Sequence, residues 1–274
     1  MAKVISVCNQ KGGVGKTTTA INAATYLATF DKKVLLIDLD PQANATSGLG
    51  IDKKKVEKSS YDLLINNAAI ETVTTKTIIN NLCIIPANVA LTGAEVELVP
   101  VMSREFKLSR VLASIRDTYD YILIDCPPSL GLLTINALAA SDSVLIPIQC
   151  EYYALEGLTQ LLSTINLIRA NLNSKLEIEG ILLTMADFRT NLTSEVIKEA
   201  RNFFKEKVYT TVIPRNIKLS EAPSFGKPIY IYDKNSIGAS SYYNFTKELL
   251  GEKIATNEIK SQEVIQPTEN ATGG

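Results

Sequence analysis

The chain has 274 residues, 46% of them hydrophobic, and 28 Lys and Arg against 29 Asp and Glu, for a formal net charge of −1. That is enough apolar material for a sizeable core, and so even a charge balance argues neither for nor against nucleic acid as a partner. The four cysteines (Cys8, Cys83, Cys126 and Cys150) form no CxxC pair and there is no histidine, which sets aside a Cys/His zinc site, a disulfide framework and every Ser-His or Cys-His catalytic arrangement.

The N-terminal stretch MAKVISVCNQ reads as a short strand and lacks a signal-peptide layout. No apolar run approaches the roughly 20 residues of a membrane span. In chain order, strand-like runs occupy 4–8, 34–39, 82–87, 121–126, 143–149, 179–185, 208–214 and 228–232. Most are continuously apolar rather than alternating, as expected of strands buried on both faces. Helical patterns lie at 16–29, 103–117, 154–172, 192–205 and 240–250, with Gly251 as a stop. This alternation predicts a doubly wound α/β fold, a mostly parallel sheet with helices on both faces. Without an internal repeat or a Pro- or Gly-rich linker, residues 1–251 are expected to form one domain. The tail at 252–274 loses periodicity and is expected to be frayed. The whole profile is that of a cytoplasmic protein with reduced thiols.

VISVCNQKGGVGKTTT is strand, glycine loop and helix start. Gly12, Gly13 and Gly15 let the backbone approach phosphate oxygens and turn its N–H groups inward. The helix beginning near Lys16 adds its positive end. Lys16 can reach the β and γ phosphates, and the Thr17 hydroxyl can bind Mg²⁺. The nucleotide-binding segment thus runs through Lys11, Gly12, Gly13, Val14, Gly15, Lys16, Thr17 and Thr18. The strict GxxxxGK[ST] pattern fails, because Gln10 stands where its first glycine belongs. Asp38 and Asp40 end one apolar strand and Asp125 ends another. Carboxylates at the carboxyl ends of strands, beside a triphosphate, are suited to magnesium and water.

The motif KGGVGKTT is the deviant form of the loop, and with it the chain resembles the ParA/MinD family of deviant-Walker ATPases, most closely its chromosomal, Soj-like branch. VLLIDLDPQANATSGLG (34–50) is similar to the family's second acidic motif, YILIDCPPSLGLLTINAL (121–138) to its Walker B strand and switch, and VIPRNIKLSEAPSFGKPI (212–229) to its nucleotide-base loop. The similarity spans most of residues 1–250. It implies a slow, Mg²⁺-dependent ATPase in which two subunits sandwich two ATP molecules. Lys11 then acts in trans on the neighbour's phosphates, in keeping with the need for cations around a transferred phosphoryl group. Lys11, Lys16 and Asp40 become the catalytic set, with Asp40 orienting the attacking water. Asp125 supports the magnesium through water and Asp38 stands behind it. Pro214 and Asn216 lie near the base. A side chain at Gly12 should obstruct closure of the dimer.

Between Ala186 and Lys227 eight Lys and Arg stand against five Asp and Glu, a local charge of +3. Lys198, Arg201 and Lys205 lie at helical spacing and should share a face. The resemblance implies that Arg189 and Arg215 bind DNA without reading its sequence, with Lys198 and Arg201 adding to the same basic surface. Two subunits would present it twice, giving enough phosphate contacts only as a dimer. It further implies association with the nucleoid, release by a ParB-type centromere-binding protein that stimulates hydrolysis, and a link to replication initiation. The alternative within the family is a MinD-like, membrane-associated division-site ATPase. Against it, the end GEKIATNEIKSQEVIQPTENATGG carries four glutamates and Pro267, and no aromatic residue, which makes a poor membrane anchor. An iron–sulfur reductase on the same loop would need paired interface cysteines, and Cys126 has no evident mate.

Overall fold

The computed structural model describes residues 1–151 and 156–252. Eight strands form one sheet in the order β3-β4-β2-β5-β1-β6-β7-β8. They are β1 (Lys3–Val7), β2 (Val34–Asp38), β3 (Thr75–Lys76), β4 (Leu82–Ile85), β5 (Tyr121–Asp125), β6 (Ser143–Gln149), β7 (Glu177–Ala186) and β8 (Val208–Pro214). All neighbours pair in parallel except β3 with β4. The expected doubly wound sheet is present.

The helices are α1 (Lys16–Thr29), α2 (Asn44–Gly48), α3 (Ser60–Leu64), α4 (Ile70–Val73), α5 (Leu91–Glu97), α6 (Lys107–Ala113), α7 (Leu132–Ala140), α8 (Glu156–Asn171), α9 (Asn191–Phe204), α10 (Ile217–Glu221), α11 (Ile229–Tyr232) and α12 (Ile237–Leu249). Continuous apolar strands are explained by the two layers they feed. In β2, Leu35 and Ile37 point into one core and Val34 and Leu36 into the other. The first core is closed by α6, α7, α8 and α9 through residues such as Leu108, Leu133, Leu161 and Val196. The second is closed by α1 and α12 through Ala20, Leu27, Tyr242 and Phe245. Burying a leucine or isoleucine in either layer is worth roughly 1.5–3 kcal/mol, so the alternation alone fixes the strand faces.

Several expectations need correction. The run at 228–232 is the short helix α11 rather than a strand. Pro228 precedes it, and the Ile229 N–H donates to Asn22 Oδ1 at 2.9 Å, which ties its start to α1 instead of to a sheet edge. The eighth strand is instead the two-residue β3, too short and too exposed to leave a pattern. The helix expected at 103–117 is a tight turn at Arg104–Phe106 followed by α6, which stops at Ala113. The helix expected at 192–205 ends at Phe204; Lys205 has a positive φ of 51° and leaves the helix, so it does not share a face with Lys198 and Arg201. Residues 154 and 155 of the helix expected at 154–172, and tail residues 253–274, lie outside the described residues. No described helix is long and apolar enough to cross a membrane.

Candidate nucleotide site

The site sits where the strand order reverses, at the carboxyl ends of β2, β5, β1 and β6. In open α/β sheets that crevice is where ligands bind. The loop from β1 to α1 carries Gly13 at φ 76° and Gly15 at φ 86°, a left-handed geometry that explains glycine at both positions. Asn9 braces the loop: its Nδ2 donates to the Pro147 carbonyl at 2.7 Å and its Oδ1 accepts from the Lys11 N–H at 3.0 Å. Thr184 on β7 donates to the Val14 carbonyl at 2.9 Å. The loop is thus held in shape by β6 and β7 before any ligand arrives.

Lys16 opens α1 and is 6% exposed, with Nζ donating to the Lys11 carbonyl at 3.1 Å. Burial holds its pKa below the usual lysine value, opposed by the charges of Asp125 and Asp40. A buried ammonium facing carboxylates with so little hydrogen bonding is poised for an anionic guest. Thr17 and Thr18 follow on the first turn, partly open. Lys11 differs. Its side chain is 42% exposed and its ammonium lies 3.3 Å from Glu151 Oε2. Gly12 is exposed, and a Cβ built there would meet nothing within 4 Å among the described residues.

The three carboxylates do not share one environment. Asp38 and Asp125 face each other across β2 and β5. Asp38 is fully buried; Oδ1 accepts from the Asp40 N–H at 3.1 Å, and Oδ2 accepts from both the Thr46 N–H and hydroxyl at 2.8 and 2.7 Å. Its oxygens are committed to shaping the loop that bears Asp40 and the start of α2. Burial nevertheless raises its pKa to about 6. Asp125 is also fully buried, but among the described residues neither of its oxygens receives a hydrogen bond of sound geometry. Burial, then the charge of Asp38, pushes its pKa well above the carboxylate range, while the nearby Thr17 hydroxyl and Lys16 work the other way. An unmatched buried carboxylate beside a hydroxyl and an ammonium fits a divalent cation. Among the described residues no three His, Cys, Asp or Glu side chains form a metal-holding group. Thr17 and Asp125 would therefore hold magnesium only together with phosphate oxygens and water. Asp40 is 7% exposed, and its Oδ1 accepts from the Gln42 N–H at 2.9 Å.

Beside the loop lies a cavity of about 260 Å³ lined by Gly15, Thr18, Pro214, Arg215, Asn216 and Tyr242, among others. Asn216 lines the cavity and caps α10, its Oδ1 accepting from the Leu219 N–H at 3.3 Å. Thr184, Met185 and Tyr242 line it as well and had not been singled out from sequence. Met185 sits at φ 52°, a strained geometry for a side chain of that size and the one backbone mark of a site at this strand end.

Arg189 and Arg215 follow the adjacent strands β7 and β8, the Arg215 N–H donates to the Ala186 carbonyl at 2.9 Å, and the charges of both arginines act on Asp187. Arg189 forms a forked pair with Asp187 at 2.8 and 2.7 Å, which draws the Asp187 pKa down to about 2. Both arginine side chains are exposed, at 87% and 63%. Lys198 and Arg201 are exposed on α9.

A parallel sheet with a glycine-rich phosphate loop after its first strand, a buried lysine opening the next helix and aspartates at the adjacent strand ends defines a P-loop nucleoside triphosphatase of the deviant-loop kind. A family model described as AAA domain matches residues 2–178. The chain is 59% identical over 249 residues to the sporulation initiation inhibitor protein Soj of Bacillus subtilis, covering 91% of this chain and 98% of that protein. It is 53% identical over 250 residues to the chromosome-partitioning ATPase Soj of Treponema pallidum, covering 91% and 98%. Among solved structures, the cobyrinic acid a,c-diamide synthase of Mycobacterium smegmatis with bound ATP analog and magnesium superposes with a TM-score of 0.81 at 35% identity, covering 91% of this chain and 95% of that one. The chain belongs to the ParA/Soj family.

Proposed function

We propose that this protein is a partitioning ATPase whose nucleotide state decides whether it pairs with a second copy and holds DNA. The observation that carries the reading is the convergence of buried Lys16, buried and unmatched Asp125, and Asp40 at the phosphate loop, whose Gly15 and Thr18 line a cavity together with Pro214 and Asn216. The relatives named as a partitioning ATPase and as Soj, and the neighbour holding an ATP analog and magnesium, support ATP and Mg²⁺ as the occupants.

Loop N–H groups from Gly12 to Thr17 and the start of α1 cradle the phosphates, and Lys16 answers their charge from within. Thr17 and Asp125 would hold the metal together with phosphate oxygens and water. When bound, magnesium draws charge off the phosphate oxygens. Asp40 positions the attacking water with Oδ2, which accepts no hydrogen bond among the described residues while Oδ1 is committed to Gln42. Asp38 braces that loop.

Lys11 supplies the missing cation to a neighbour's phosphates, so that ATP joins two copies by a two-fold face and hydrolysis parts them. Among the described residues a Cβ at Gly12 would meet nothing within 4 Å, so a small side chain there is read as obstructing the second copy rather than this chain's own fold. Pairing doubles the surface of Arg189, Arg215, Lys198 and Arg201, and DNA is held through its phosphates without sequence reading. The protein then associates with the nucleoid, and a ParB-type partner releases it by speeding hydrolysis. The test is DNA binding measured against salt with ATP, ADP and no nucleotide, alongside mass in solution. Binding should need ATP, accompany dimerisation, and fall steeply with salt; equal binding in all three states would sink the reading.

A further inference from the structure

Glu151 stands two residues beyond the end of β6, beside the mouth of the phosphate loop. Its carboxylate gathers two cations that belong to distant parts of the chain. Oε2 lies 3.3 Å from Lys11 Nζ and Oε1 lies 3.9 Å from Arg215 Nη2. The Gln149 side-chain amide also donates to Oε1, which steadies the carboxylate between them. Lys11 comes from the loop after β1 and Arg215 from the segment after β8. Their meeting on one carboxylate is a product of the fold.

Building on the reading above, we infer that Glu151 acts as an internal anion that competes with phosphate for Lys11 and Arg215, holding both back in the unpaired protomer. An ammonium in contact with its own chain's carboxylate cannot at the same time reach a neighbour's triphosphate. A guanidinium drawn to Glu151 is less available to a DNA phosphate. Both pairs are half exposed, with side-chain exposures of 42%, 46% and 63% for Lys11, Glu151 and Arg215. Exposed pairs of this kind are weak, so the contact biases the switch and does not lock it: each should shift an equilibrium by roughly two- to fivefold. Two protomers contribute two Lys11 contacts, and the effect on the dimer dissociation constant compounds to as much as about 25-fold. A triphosphate carries several charges and outcompetes one carboxylate once it is present.

The test uses the full chain carrying Glu151→Gln, with Asp117→Asn as a control for the change in net charge, since Asp117 is 91% exposed and lies beyond the opposite ends of the strands. Sedimentation with a non-cleavable ATP analogue should show the Glu151→Gln dimer dissociation constant lowered by roughly four- to 25-fold and that of the control unchanged. Without nucleotide and at low salt, Glu151→Gln should bind a random-sequence duplex roughly two- to fivefold more tightly than the control, and the gain should vanish in an Arg215→Ala background. The inference is overturned if wild type dimerises and Glu151→Gln does so no more readily, or if Glu151→Gln dimerises less, which would place the carboxylate inside the assembled pocket. A wild-type chain that stays monomeric with the analogue would instead overturn the partitioning reading, and Glu151's role with it.

Discussion

Replacing Asp125 by Asn should make the nucleotide-free protein more stable while disabling it. The wild-type carboxylate is fully buried, unmatched by donors, and set against Asp38 on the neighbouring strand. Relieving an unsatisfied buried charge is worth about 1–3 kcal/mol. For a chain of this size that is a rise in Tm of roughly 2–12 °C. The same strain makes the wild type sensitive to pH. Asp38 has a folded pKa near 6 against a usual 3.8, so its unfolded form ionises first. Stability is therefore fully present below about pH 4 and is lost as pH rises to about 6, by about 3 kcal/mol for the two-unit shift. Asp125 is raised in the same direction, by burial and then the charge of Asp38, and adds to that loss. Thermal unfolding between pH 4 and 8, without nucleotide, reads both effects. Wild type should lose stability across that range, Asp125→Asn should lose less, and adding Mg²⁺ and ATP should stabilise wild type more than Asp125→Asn. An Asp125→Asn protein less stable than wild type at pH 7 without nucleotide would refute the placement of a strained carboxylate awaiting a cation.

Lys16→Ala should weaken ATP binding by about 3 kcal/mol or more, roughly a hundredfold, because it removes charged hydrogen bonds in a buried site; calorimetry or fluorescent-nucleotide titration reads it, and near-normal affinity would contradict the loop assignment. Asp40→Ala should leave ATP binding intact and cut hydrolysis by roughly a hundredfold or more, so that phosphate release stalls while the paired form accumulates on DNA; normal turnover would remove Asp40 from water positioning. Arg189→Glu should keep ATP-driven pairing and lose DNA, with the salt slope shallower by about two because each dimer gives up two phosphate contacts. Unchanged DNA binding would take Arg189 out of the interface.

Much of this was legible in the chain itself, for physical reasons. Strands buried on both faces must be apolar throughout, so VLLID, YILID and SVLIPIQ announce themselves. The phosphate loop is legible because glycine geometry, a lysine and a hydroxyl are needed at fixed spacing. PIYIY misleads because its aromatic and β-branched residues suit a strand, while a hydrogen bond from Ile229 to Asn22, far away in sequence, commits it to a helix. Buried α7 carries almost no polar residues to mark a period, and so it passes unseen. The pairing of Asp38 with Asp125 follows from strand order, which one sequence does not state. Glu151 was invisible for the same reason, since both its cations are brought to it by the fold.

The most direct trial is the mass of the Lys11→Ala protein in solution with a non-cleavable ATP analogue and magnesium. The side chain is exposed and packs into no core, so the variant should fold and bind nucleotide about as well as wild type. It should remain a monomer at concentrations where wild type is a dimer. A Lys11→Ala chain that pairs as readily as wild type would show that no cation crosses between the two sites.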